Sequence, residues 1–221
     1  MEGPAGSGRG GMNKRSPLYP ILFMALLSAV FGAAVSTVAV VTKERVRVGE
    51  QARLRSQVLG AFQLPVPADA AAIDALWKQR VEERQAQGGR YYVARGTDGT
   101  PSGYGFPFTG PGFWGPISGL LAVQPDGEHI LGLSFTSHQE TPGLGGRISE
   151  DWFRSQFRGK PLAPPTEGGP ILRFVYRKPE ADREVEAITG ATQTSSRLDR
   201  FLNQFLADLK RHPALAGAGG V

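Results

Sequence analysis

Cysteine is absent from this chain of 221 residues, and histidine occurs only three times. The lack of cysteine excludes disulfides, thiolate zinc sites, cysteine-ligated iron–sulfur clusters and cysteine nucleophiles. His129, His138 and His212 are too far apart in sequence to form a metal-ligand pattern, and no Gly-x-Ser-x-Gly motif is present. The sequence therefore predicts neither a metal site nor a catalytic residue.

Residues 48–221 also lack an excess of basic charge. The net charge is +5, but residues 48–221 hold 19 of the 25 basic and 18 of the 20 acidic residues. A nearly neutral domain is not typical of nucleic-acid binding. We therefore expect no nucleic-acid partner.

Residues 17–42 contain no charged side chain and are dominated by Ile, Leu, Phe, Ala and Val. A helix of about 24 residues is about 36 Å long, which is enough to cross a hydrocarbon layer of about 30 Å. A buried helix and a cleaved signal peptide are the alternatives, but the run is long and no clear Ala-x-Ala site follows it. We predict a flexible leader over 1–16 and an uncleaved transmembrane anchor over 17–42.

The charges that flank this anchor bear on its orientation. Three basic residues precede it and five follow within a short distance, at positions 43, 45, 47, 53 and 55. Read literally, the positive-inside rule would place the following domain in the cytoplasm.

Residues 43–89 are predicted to form a juxtamembrane helical segment. An amphipathic helix is expected over 46–62, and a second helix is expected from an N-cap at Asp69 to about Gln85, ending at Gly88 and Gly89. These helices would form a stalk and a layer over a sheet.

The main domain is predicted over 90–212, with a flexible tail over 213–221. Strands are expected at 90–95, 117–123, 129–137 and 171–176, with a turn at 124–127, and residues 184–188 lead into the motif that follows. Helices are expected at 149–157 and 195–211, the second with an apolar stripe that faces the core. The fold class is therefore α+β: a small antiparallel or mixed sheet packed with helices, preceded by a single N-terminal transmembrane helix.

Three stretches are candidates for a binding site. Residues 186–196 (EAITGATQTSS) place small and hydroxyl side chains at a helix start, where free backbone amides favour an anion such as phosphate, although a simple helix cap is the alternative. Residues 103–116 (GYGFPFTGPGFWGP) read either as an irregular packed loop or as a wall where Phe113 or Trp114 packs against a planar ligand. Residues 138–146 (HQETPGLGG) predict a tight, shaped loop.

The Thr-Gly-Ala-Thr motif at 189–192, with 138–146 upstream and an anchor in front, resembles the FMN-binding domain family. The C subunit of the sodium-translocating NADH:quinone reductase and the G subunit of the related Rnf complex belong to this family. The resemblance covers roughly residues 90–210 and the anchor. The family motif usually begins with aspartate three residues before its Ser/Thr, where this chain has Glu186.

The resemblance implies a covalently bound FMN, attached through its phosphate as a phosphoester to Thr192. Thr189, Thr194 and Ser195 would support the phosphate, Ser195 or Ser196 would cap the helix, and the upstream loop would lie along the isoalloxazine. The candidate cofactor-binding residues are Thr189, Gly190, Ala191, Thr192, Thr194, Ser195, His138, Glu140, Thr141, Pro142, Gly143 and Trp114.

The function implied is that of an electron-carrying subunit in a redox-driven ion-translocating oxidoreductase of the NADH:quinone or ferredoxin type. Its partners would be other membrane subunits of the complex, membrane lipid and a flavin transferase. The resemblance places the chain in the cytoplasmic membrane with the FMN domain on the extracytoplasmic side, and we follow it over the flanking charges. A stand-alone anchored FMN electron carrier and a non-redox membrane-anchored binding module are the alternatives.

Overall fold

A computed structural model describes residues 18–216. The predicted leader, Pro17 and the last five residues of the predicted tail lie outside the described residues. The chain forms two compact units, the first ending at Gly49 and the second beginning at Glu50.

The first helix, α1, spans Leu18–Ala61 as one continuous element of 44 residues. It is long and apolar enough to cross a membrane, and almost every side chain of its part in the first unit is exposed. The hydroxyls of Thr37 and Thr42 donate to the carbonyls of Ala33 and Val38 at 2.8 and 2.7 Å, so these polar groups are satisfied within the helix. These properties are consistent with a membrane anchor.

The second unit contains α2, Ala70–Arg80, whose N-cap is Asp69 as predicted: the carboxylate accepts from the amide of Ala72 at 3.0 Å. The prediction that this helix continues to Gln85 is wrong. Residues Val81–Ala86 form strand β1, which pairs antiparallel with β2, Gly89–Arg95. Gln87 and Gly88 therefore form the turn of a hairpin, and Gly89 is the first residue of β2.

The sheet is an antiparallel meander in the order β1-β2-β3-β4-β5, with β3 at Pro101–Pro111, β4 at Pro116–Val123 and β5 at Ile130–Ser137. The predicted strands at 117–123 and 129–137 and the turn between them are confirmed. The interpretation of 103–116 as a loop is wrong for most of its length, because only residues 112–115 lie outside β3 and β4.

Strand β4 of this sheet is covered on both faces. Leu121 and Val123 point into a core shared with the C-terminal helix, whereas Leu120 and Ala122 point into a second core with the end of α1 and with α2. This alternation is expected of a strand that is covered on both sides. The predicted helical layer over a sheet is therefore present.

After the sheet come a 3₁₀ turn at Gly145–Ser149, helix α3 at Asp151–Ser155, and strands β6 and β7 at Arg173–Val175 and Glu184–Glu186, which pair in parallel. Helix α4 spans Thr192–Leu209 and buries four leucines of its predicted stripe; the short helix α5, Pro213–Ala216, follows. The predicted α+β class with one long apolar N-terminal helix is confirmed.

Candidate functional site at the start of helix α4

Helix α4 begins at Thr192, three residues earlier than predicted. A turn at Gly190, with φ of +81°, leads into it, and Ala191 stands at the N-cap without a capping side chain. Thr192 is thus the first helical residue, and its side chain is exposed. The first amides of α4 have no capping side chain among the described residues, so they remain available to an anion.

Ser195 has a different role from the one predicted. It lies inside the helix, is 1% exposed, and its hydroxyl accepts from the backbone amide of Ile188 at 3.2 Å. The expectation that Ser195 or Ser196 caps the helix is wrong, because α4 starts at Thr192. Ser195 instead ties the turn that follows strand β7 to the helix.

Glu186 ends β7, and a glutamine side chain holds its backbone. Its amide donates to Oε1 of Gln156 at 2.7 Å, and its carbonyl accepts from Nε2 of the same glutamine at 3.4 Å. Gln156 directly follows α3. The strand that leads to the motif is therefore fixed at its end by the C-terminal side of α3.

The turn between β3 and β4 presents two aromatic rings to solvent. Phe113 is 43% and Trp114 is 64% exposed, and their rings meet edge to face with centroids 5.0 Å apart. The guanidinium of Arg197, on α4, lies over the ring of Phe113 at 5.9 Å. An exposed aromatic pair beside a helix start can form one wall of a site for a planar ligand.

Glu140 joins this turn to the helix start. Its side chain is 4% exposed; Oε1 accepts from the amides of Phe113 and Trp114 at 2.8 and 3.2 Å, and Oε2 accepts from the hydroxyl of Thr194 at 2.5 Å. The predicted motifs at 186–196 and 138–146 therefore meet in space, together with the aromatic turn.

A cleft of about 330 Å³ opens where these segments meet. Seven of the candidate residues line it: Trp114, Glu140, Thr141, Gly190, Ala191, Thr192 and Thr194. Phe113, Leu144, Gly145 and Gln193, which are not among the twelve candidates, also line it. Larger cavities of about 500 and 590 Å³ lie beside the loop at 164–170, but they contain none of the motif residues.

The other candidates, Thr189, Ser195, His138, Pro142 and Gly143, do not line the cleft. Sequence analysis also missed Arg197, which contacts the ring of Phe113. Helical spacing could have indicated it, because Arg197 is four positions after Gln193 and lies on the same face of α4. Leu144 is 45% exposed, and an exposed leucine in a loop carries no sequence signal of its own.

His138 is half-buried behind the loop. Its Nε2 lies 3.0 Å from the Ser149 hydroxyl, and its Nδ1 is buried without a hydrogen-bond partner among the described residues. Burial lowers the pKa of His138 below its ordinary value, the carboxylate of Glu140 opposes that shift, and Arg53 adds to it. The imidazole is therefore held in its neutral form near neutral pH.

Comparison with known proteins identifies a family of cofactor-binding domains that this chain resembles. Residues 112–207 match the model of the FMN-binding domain family, and this segment contains the aromatic turn, Glu140 and the start of α4. The resemblance predicted from the motifs is confirmed, and FMN is the cofactor that this match supports.

The relatives are then more specific. The chain is 30% identical over 152 residues to the C subunit of the Na(+)-translocating NADH-quinone reductase of Pasteurella multocida, covering 68% of this chain and 58% of the relative. The corresponding subunit of Yersinia pestis is 34% identical over 127 residues, covering 57% and 47%. The chain thus spans about half the length of these relatives.

Two solved structures share the fold. The C subunit of the Na(+)-translocating NADH-quinone reductase from Parabacteroides distasonis superposes with a TM-score of 0.62 at 23% identity, covering 76% of this chain and 96% of that one. NqrC from Shewanella oneidensis gives a TM-score of 0.59 at 20% identity, covering 72% and 98%.

The residues of the cleft fit FMN. The volume of the cleft is at the lower end of the range of about 300–1,000 Å³ that is usual for small-molecule sites. Phe113, Trp114 and Leu144 supply exposed apolar surface for a planar ring system, and the uncapped amides of α4 supply donors for a phosphate. Gly190 leaves room at the entrance, since a Cβ there would lie 3.3 Å from Leu144 Cδ2 and its φ is positive.

Proposed function

We propose that this chain is a membrane-anchored flavoprotein that carries FMN as a phosphoester on Thr192. In this proposal it relays electrons as a subunit of an ion-translocating NADH:quinone-reductase type of complex. It acts on no diffusible substrate by itself.

The observation that carries this proposal is the placement of Thr192. Its exposed side chain stands at the first residue of α4, lines the cleft, and lies in the segment that matches the FMN-binding domain family. Thr194, the next threonine along the helix, is 3% exposed and already bonded to Glu140, so it is a poor acceptor for a flavin. Thr189 is exposed but does not line the cleft.

Attachment would form a bond between Thr192 Oγ1 and the phosphorus of the flavin phosphate. The phosphoanhydride bond of an activated flavin donor, held by a separate transferase, would break, and the departing phosphate group would take up the hydroxyl proton. The phosphodiester keeps one negative charge, which the helix start stabilises by about 0.3–1 kcal/mol when exposed. The amides of Thr192, Gln193 and Thr194 are the donors nearest to it in sequence.

Bound FMN supplies the ability to accept and release electrons one or two at a time. The chain's own residues would bind and orient it: Phe113 and Trp114 would form one wall, Leu144 would lie beside Gly190, and helix α4 would hold Thr192. The neutral His138 adds no charge behind the loop.

The proposed partners are the other membrane subunits of a reductase, membrane lipid around α1 and a flavin transferase. We propose that α1 anchors the chain in the cytoplasmic membrane with the FMN domain on the extracytoplasmic side. A protease applied from outside, or a topology reporter fused after residue 221, tests the sidedness; a cytoplasmic domain would contradict the mechanism.

Covalent attachment is tested by co-expressing the full chain with a flavin transferase and recording flavin fluorescence of the denatured band on a gel. We expect fluorescence from the native chain and from Thr189→Ala, and none from Thr192→Ala. An equally fluorescent Thr192→Ala band would refute the attachment site, and a dark native band would refute the covalent flavin. Co-purification with a multi-subunit reductase distinguishes membership of a complex from a stand-alone electron carrier.

A further inference from the structure

Glu140 is a buried carboxylate that has three donors from two distant parts of the chain. Two are the amides of Phe113 and Trp114 on Oε1, and the third is the Thr194 hydroxyl on Oε2. The side chain therefore connects the aromatic turn to the first turn of α4, which begins at Thr192.

No ion pair of Glu140 occurs among residues 18–216. Burying a carboxylate without a cation is costly, and hydrogen bonds from amides and a hydroxyl to its charge offset that cost. An apolar residue would fill the space without any desolvation cost but could not accept three hydrogen bonds. Compared with an apolar residue, a glutamate at this position therefore contributes the three hydrogen bonds that its carboxylate accepts.

Two glycines leave room for this carboxylate. A Cβ at Gly112 would lie 2.5 Å from Oε1, and a Cβ at Gly145 would lie 2.7 Å from Oε2 and 2.5 Å from Thr194 Oγ1. All three distances are shorter than van der Waals contact, so neither position accepts a side chain unless its neighbours move. The backbones on both sides of Glu140 are thus packed directly against its oxygens.

We propose that Glu140 is a positioning residue, whose carboxylate fixes the Phe113–Trp114 wall relative to the first turn of α4. Since both of its oxygens are occupied by protein donors, it acts through these residues rather than by touching a ligand. The inference rests on the proposed function only in that the cleft it shapes is the flavin site.

The positioning itself can be measured without flavin. The full chain in detergent, labelled with 5-fluorotryptophan, has three tryptophans, and Trp114→Phe assigns the resonance of interest in a ¹⁹F NMR spectrum. We expect Glu140→Ala to shift or broaden the Trp114 resonance and Glu140→Gln, which keeps one acceptor, to move it less in the same direction. Trp77, which packs in the other core, serves as the internal control and should not move.

An unchanged Trp114 resonance in a folded Glu140→Ala chain would overturn the proposal. If Glu140→Ala does not fold, Glu140→Gln decides by the same criterion. Thr194→Ser keeps the hydroxyl donor and is expected to leave the Trp114 resonance in place; a shift as large as that of Glu140→Ala would also count against the proposal.

A second measurement follows attachment over time with a flavin transferase and its activated flavin donor. We expect Glu140→Gln to slow covalent labelling on the order of tenfold, because reaction rates fall steeply when groups are displaced by about 1 Å. Labelling at the native rate, in a chain with a native Thr192, would contradict the positioning role. If the native chain is never labelled, the proposed function fails, and the NMR result alone decides this inference.

Discussion

The hydroxyl of Thr194 donates a 2.5 Å hydrogen bond to the carboxylate of Glu140, 54 residues away in sequence. Both side chains are almost fully buried, at 3% and 4% exposure. Because Thr194 is in the first turn of α4, this bond fixes the helix start to the loop that follows β5. The same hydrogen bond therefore shapes the cleft and contributes to the stability of the folded domain.

Thr194→Val is therefore expected to destabilise the flavin-free chain by about 1–3 kcal/mol, since the isosteric change leaves a buried carboxylate oxygen without its donor. Thr192→Val makes the same chemical change two residues earlier at an exposed position, and should stay within about 0.5 kcal/mol. Chemical denaturation of both variants in detergent, followed by intrinsic fluorescence, provides the comparison. Equal stabilities would show that the Thr194 bond contributes nothing net.

Gly145→Ala tests the close packing on the other side of the same bond. The added methyl group would lie 2.5 Å from Thr194 Oγ1 and 2.7 Å from Glu140 Oε2, so overpacking of about 1–3 kcal/mol is expected. Gly60→Ala is the control, because a Cβ there meets nothing within 4 Å and a helical alanine is favoured over glycine by about 0.5–1 kcal/mol. In a thermal unfolding experiment, the midpoint temperature of Gly145→Ala should be lower than that of the native chain. The midpoint temperature of Gly60→Ala should be unchanged or higher.

Periodicity and turn chemistry are sufficient for much of this fold. The apolar stripe of α4 is predictable because leucines repeat at helical spacing, and the β4–β5 hairpin is predictable because Pro125, Asp126 and Gly127 form a strong turn signal. The side-chain cap of α2 at Asp69 follows from local chemistry in the same way. All three depend on residues that are close in sequence.

Strands β1 and β3 escape prediction for tertiary reasons. β1 has the sequence VEERQA, which favours a helix, and only its pairing along the whole of β2 makes it a strand. β3 contains glycines where other side chains come close: a Cβ at Gly105 would lie 2.6 Å from Phe62, and one at Gly110 would lie 2.2 Å from Phe201. The glycines that suggest a loop are instead contact points in a strand covered on both faces.

The site is predictable only in part for the same reason. The motif around Thr192 is local, so the stretch can be singled out from sequence, and the resemblance to the FMN-binding domain family is what points to Thr192 among its hydroxyls. The pairing of Glu140 with Thr194 and with the Phe113–Trp114 turn joins three separate segments, and no spacing in the chain indicates it. The role of Ser195 as an acceptor for Ile188 depends on where the helix starts, and the predicted start is three residues late.

Stability is expected to fall as the pH drops below about 6.5, because burial lowers the pKa of both His138 and His212 from that ordinary value. With the folded pKa below the unfolded one, the unfolded chain takes up a proton first. The stabilisation is thus complete above about pH 6.5 and is lost as the pH falls toward the folded pKa values.

The groups around these two histidines differ. Glu140 and Arg53 act on His138, and His212 packs edge to face against Tyr91 and Phe106, with centroids 5.6 and 4.8 Å away. Unfolding free energies at about pH 7.5 and about pH 5.5 should differ less in His138→Asn and in His212→Asn than in the native chain, and least in the double variant. An identical difference in all four chains would exclude both histidines as the cause.

Trp114 provides the most direct test of the aromatic wall. Its ring is 64% exposed and its aromatic contact is with Phe113, so Trp114→Ala should change the unfolding free energy by only about 0.5 kcal/mol. If the ring packs on the flavin of Thr192, it quenches flavin emission in the folded chain, and denaturation releases that quenching. We therefore expect the increase in flavin fluorescence on denaturation to be large in the native chain and clearly smaller in Trp114→Ala. Trp77→Phe, in the other core, should behave like the native chain; equal increases in all three would place the flavin away from the aromatic turn and leave Thr192 without the wall proposed for it.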